Sequence, residues 1–134
     1  MSGSSQHIRI VTLDELNKDA ENTEKFIADS EKQYTAKITE AAQRIADCYK
    51  EKPLVLLSGP SGSGKTTTAY RIANQLADKD IKSIVISMDD YFVPGAIPPD
   101  KNGKIDLEAP ERVDCELLKK DLLTLTSGGE VQLP

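Results

Sequence analysis

The segment Gly59-Pro60-Ser61-Gly62-Ser63-Gly64-Lys65-Thr66 constrains this chain more than any other feature. It satisfies the spacing G-x-x-x-x-G-K-[ST] in full. The glycines permit backbone angles that aim successive N–H groups into one concavity, which suits phosphate oxygens. A helix opening near residue 64 adds its positive N-terminal end at the same place. Lys65 is then placed to reach the β- and γ-phosphates of ATP or another nucleoside triphosphate, and the Thr66 hydroxyl to ligate Mg²⁺. Thr67 follows in the same first turn and belongs with the phosphate-binding residues.

Such a loop works between a buried strand and a helix, and the flanking sequence has that form. Leu54-Val55-Leu56-Leu57-Ser58 is a short apolar run between Pro53 and Gly59, the pattern of a strand covered on both faces. Residues 64–78 carry Ala69, Ile72, Ala73 and Leu76 on one helical face. Residues 81–88, ending in Met88, form a second strand candidate. Strand, helix and strand predict a βαβ unit and a parallel pair. The fold class expected is therefore α/β, a P-loop NTPase-type parallel sheet with flanking helices.

Ligands of parallel α/β sheets bind beyond the carboxyl ends of the strands. The second strand would thus deliver Asp89, Asp90, Tyr91 and Phe92 to the edge that holds the phosphate loop. A carboxylate there can accept the proton of an attacking hydroxyl, or help to hold Mg²⁺. The two aspartates can equally cap the turn after the strand.

Upstream, Thr12 and Glu15 have capping-box spacing, so a short helix should begin near Leu13, with a break at Asn22-Thr23. Over residues 23–50, Ile27, Tyr34, Ile38, Ala42, Ile45 and Tyr49 recur at helical intervals, predicting an amphipathic packing helix. Residues 93–112 are rich in proline and glycine and read as a long ordered excursion. A last helix is expected over residues 113–126, with Leu117, Leu118, Leu122 and Leu125 on its apolar face and Gly128-Gly129 at its end. Residues 1–7 read as a flexible arm.

Composition closes off other classes. The chain has 134 residues and a formal charge of −5 without a basic stripe, which argues against a nucleic-acid binder. No apolar run approaches the roughly 20 residues of a membrane span, and the N-terminus lacks the apolar core of a signal peptide. Cys48 and Cys115 match no metal spacing and read as reduced, partly buried thiols of a cytoplasmic protein.

Taken together, GPSGSGKTT, VISMDDYF and PPDKNGKIDLEAPERVD resemble the uridine kinase group of P-loop kinases, most of all its bacterial branch of uridine or nucleoside kinases. The likeness covers residues 23–134. It implies ATP- and Mg²⁺-dependent phosphoryl transfer to the 5′-hydroxyl of a pyrimidine nucleoside. Carried over residue by residue, it makes Asp89 the general base and Glu108, within Asp106-Leu107-Glu108, the ribose contact, since a carboxylate accepts from both vicinal hydroxyls. Phe92 falls at a nucleoside-contacting position where many members have tyrosine. Leu107 replaces an aromatic residue, and Ala109 stands where some members have histidine. These departures bear on the choice of nucleoside more than on the phosphate site.

Only two strand candidates lie between residues 53 and 134, and no arginine follows Arg112 to serve a lid. The chain therefore reads as the N-terminal part of a larger kinase: an arm and short helix over 1–22, the packing helix over 23–52, and the first portion of a P-loop kinase domain over 53–134. Alone it is expected to bind nucleotide weakly, to transfer phosphate poorly or not at all, and to self-associate through an open sheet edge. The competing readings are a related small-molecule kinase, phosphoribulokinase- or pantothenate kinase-like, and a nucleotide-binding module without catalysis.

Overall fold

A computed structural model describes residues 10–93, 95, 103, 104, 106 and 109–134. The chain divides into two compact units, Met1–Glu40 and Ala41–Pro134, and the boundary falls within a helix.

The first unit holds α1 (Leu13–Ala20) and the first part of α2 (Thr23–Cys48). The expected capping box is formed: Glu15 N–H donates to Thr12 Oγ1 at 3.3 Å, and Thr12 N–H donates to Glu15 Oε2 at 2.9 Å. Asn22 starts α2, its Oδ1 accepting from Lys25 N–H at 3.1 Å. The apolar stripe of this helix is unevenly used. Ile27 is exposed, whereas Ile38 is buried.

The second unit contains the end of α2, where Ala42 is fully buried, then α3 (Lys65–Ala77) and α4 (Cys115–Thr126). Leu76 is buried on the α3 face the sequence predicts, with Ala69, Ile72 and Ala73 half-buried beside it. Both helices end in a Schellman closure. At α3, Ile81 N–H reaches the Leu76 carbonyl at 2.9 Å, and Asp80 takes the left-handed conformation at φ 59°. At α4, Gly129 N–H reaches the Thr124 carbonyl at 2.9 Å, and Gly128 has φ 83°.

The parallel strand pair is the expectation that needs correction. Among the described residues no strand ladder forms, and residues 54–58 and 81–87 have no regular pairing. Leu54, Val55, Leu56 and Leu57 are all exposed, Leu56 by 82%. A strand draws its stability from neighbours on both edges and cover on both faces, and the described residues supply neither. Among the described residues the one sheet-like contact is an antiparallel bridge between Phe92 and Val113. Leu54 instead lies with Leu118, Leu122 and Leu123 of α4 along an open groove of about 310 Å³. Cys115 lines this groove and is exposed, so the partial burial expected of both cysteines holds for Cys48 alone.

Candidate nucleotide-binding and acceptor site

The phosphate loop has the local geometry its glycines imply. Gly62 and Gly64 have φ of 71° and 81°, a region open to glycine and costly for residues with a Cβ. Ser63 N–H donates to the Pro60 carbonyl at 3.2 Å, closing the turn. Gly64 then serves as the N-cap of α3 and offers that helix end no side-chain cap. Lys65, Thr66 and Thr67 occupy the first helical turn, where N–H groups lack intrahelical acceptors. The loop is compact: a Cβ on Gly59 would lie 3.0 Å from Ser63 Oγ.

Lys65 Nζ donates to the carbonyl of Pro60 at 2.9 Å, so the ammonium folds back over the mouth of its own loop. A neutral carbonyl is a weaker partner for an ammonium than a phosphate oxygen. These donors, an uncapped helix start and one lysine, fit a polyphosphate. Among the described residues no group of three or more His, Cys, Asp or Glu is placed to hold a metal ion.

Asp89 and Asp90 lie in a single 3-10 turn, Met88–Tyr91, rather than at the end of a strand. Ser87 caps the turn, its Oγ accepting from Asp89 N–H at 3.2 Å. Capping by Ser87 leaves the two aspartate side chains out of that role, and both residues are exposed. Phe92 follows, bridged to Val113 and lying under the guanidinium of Arg112, 5.7 Å from its ring centre. Among the described elements, the pair in close backbone contact is this turn and α4; α3 with its phosphate loop is not part of that contact. Asp106 is exposed, and Glu108, expected to hold the ribose, lies outside the described residues.

Tyr91 and Asp121 form a buried pair that the motif spacing does not single out. Tyr91 is buried at 2% exposure, Asp121 at 5%, and the tyrosine hydroxyl donates to Asp121 Oδ2 at 3.0 Å. Burial, then the hydrogen bond to Asp121, then the charges of Asp121 and Asp90 push the Tyr91 hydroxyl above its ordinary pKa. A signal for this pair was present in the sequence. Asp121 falls three and four residues from Leu118 and Leu117, a polar residue on the leucine face of α4.

Comparisons with known proteins find one family profile and several uridine kinases. A family profile described as Novel STAND NTPase 3 matches residues 37–93, the stretch holding the phosphate loop and Asp89. The uridine kinase of Lactobacillus helveticus is 36% identical over 86 residues, which is 63% of this chain and 40% of that protein. The uridine kinase of Schizosaccharomyces pombe is 33% identical over 89 residues, 64% of this chain and 19% of that protein. A Dictyostelium discoideum protein named uridine-cytidine kinase C is 37% identical over 81 residues, 60% of this chain and 16% of that protein. No solved structure matches. The matched region spans two-fifths or less of each of these relatives. Over that region the chain is similar to uridine kinases, at 30–37% identity.

Proposed function

We propose that the chain carries the phosphate-binding and proton-accepting parts of a kinase that transfers the γ-phosphoryl group of ATP to the 5′-hydroxyl of a pyrimidine nucleoside. The observation that carries the reading is the loop of residues 59–66. Its two left-handed glycines lead into a helix whose N-cap, Gly64, makes no side-chain bond, with Lys65 folded over the mouth. ATP with Mg²⁺ supplies the activated phosphoryl group. Lys65 leaves the Pro60 carbonyl for the β- and γ-phosphates, Thr66 ligates the ion, and the backbone N–H groups at the start of α3 hold the phosphates. Asp89 accepts the proton of the attacking hydroxyl. Glu108 and Phe92 contribute to holding the nucleoside. Two unpaired cysteines, Cys48 and Cys115, are in keeping with a cytoplasmic setting.

Uridine, cytidine, pantothenate and ribulose phosphate offered as acceptors with labelled ATP test the substrate class. Binding or labelling with the pyrimidine nucleosides supports the proposal, and preference for either of the last two moves the chain to a related kinase. The second reading, a nucleotide-binding module without catalysis, is favoured by the contact of the Asp89 turn with α4 rather than α3. It predicts ATP binding that neither depends on Asp89 nor is accompanied by nucleoside binding.

A further inference from the structure

The turn that carries Asp89 is held at both ends by different means. At its start the Ser87 hydroxyl accepts the Asp89 N–H. At its end the buried Tyr91 donates to Asp121, and the backbone on either side is tied down as well. Asp114 N–H donates to the Tyr91 carbonyl at 2.8 Å, and Val93 N–H donates to the Arg112 carbonyl at 2.7 Å. Between these anchors Asp89 and Asp90 are exposed. Successive residues of a 3-10 turn are separated by about 120°. Fixing the direction of Tyr91 therefore fixes the direction in which the Asp89 Cα–Cβ bond leaves the turn.

Asp121 is an expensive choice for its position. A leucine there would continue the apolar face of α4, whereas a buried carboxylate is tolerated only with a hydrogen-bond donor. Tyr91 needs an acceptor in turn when its hydroxyl is buried. A polar pair of this kind selects one orientation where apolar contact would allow several. We propose that Asp121, acting through Tyr91, is a positioning residue that holds the Asp89 carboxylate where the acceptor hydroxyl meets it. The inference rests on the nucleoside kinase reading and adds to that site a residue from α4.

The test is titration of uridine into the 134-residue chain, with Mg²⁺ and a non-hydrolysable ATP analogue present, alongside titration of the analogue alone. Tyr91→Phe should weaken uridine binding about tenfold, a coupling typical of residues in direct contact, and leave affinity for the analogue unchanged. Asp121→Asn keeps an oxygen that accepts from Tyr91 and should hold uridine affinity within about twofold of wild type. Asp89→Asn should weaken uridine binding in the wild-type background and add little in the Tyr91→Phe background. Should Tyr91→Phe unfold, Asp121→Leu removes the acceptor while continuing the leucine face and gives the same comparison. Unchanged uridine affinity in folded Tyr91→Phe or Asp121→Leu, or full additivity with Asp89→Asn, overturns the inference alone. A wild-type chain that binds the analogue but no uridine overturns the nucleoside reading, and the inference with it.

Discussion

The hydroxyl of Tyr91 and the carboxylate of Asp121 meet at 3.0 Å across thirty residues of sequence, inside the second unit. This bond joins the turn bearing the candidate base to α4. Tyr91→Phe removes the donor and leaves the Asp121 carboxylate buried without it. The expected loss of stability is about 2 kcal/mol, in the range for hydrogen bonds to charged groups, read from urea melts near neutral pH.

The same pair sets a pH dependence. Burial first, then the bond to Asp121 and the charges of Asp121 and Asp90, raise the Tyr91 pKa above its ordinary 10.0. The folded state then holds this proton more tightly than the unfolded chain does. Its stabilising contribution is complete below pH 10.0 and falls as pH rises through the folded value. Melting temperatures measured from pH 8 to pH 11 should show a steeper decline in wild type than in Tyr91→Phe; parallel curves contradict this.

Gly64→Ala isolates backbone strain in the phosphate loop. The added Cβ meets nothing within 4 Å, but the residue has φ 81°. The expected cost is about 1–2 kcal/mol from the left-handed conformation alone, visible as a lower melting temperature and weaker ATP binding.

How much of this was legible in the sequence differs by element. The capping box at Thr12, the extent of α3 and the glycine end of α4 follow from short-range rules, because the interactions that decide them lie within about five residues. Residues 54–58 and 81–88 carry the apolar pattern of strands, but strand formation is decided by neighbours distant in sequence. Those neighbours are missing among the described residues, and Leu56 is left exposed. The aspartates after the second run were legible as a pair, and their 3-10 turn was not. That turn depends on Ser87 and on tertiary anchoring by Asp114 and Asp121. Asp121 escaped notice because an acidic residue in a helix usually faces water.

Exposed Leu54–Leu57 give a prediction that separates the two descriptions of this segment. Leu56→Lys should change stability by less than about 0.5 kcal/mol, as for ordinary surface positions, and should reduce self-association in light scattering. A loss of several kcal/mol would mean that Leu56 sits in a buried strand.

The central claim is that residues 59–66 form a working nucleoside-triphosphate site in which Lys65 binds phosphate. Calorimetric titration of ATP with Mg²⁺ into wild type and Lys65→Ala tests it most directly. The account predicts saturable one-site binding by wild type, and affinity about ten- to a hundredfold lower in the variant, the loss expected for a charge-assisted contact. Equal affinity in the two proteins, or no binding by folded wild type, would contradict it.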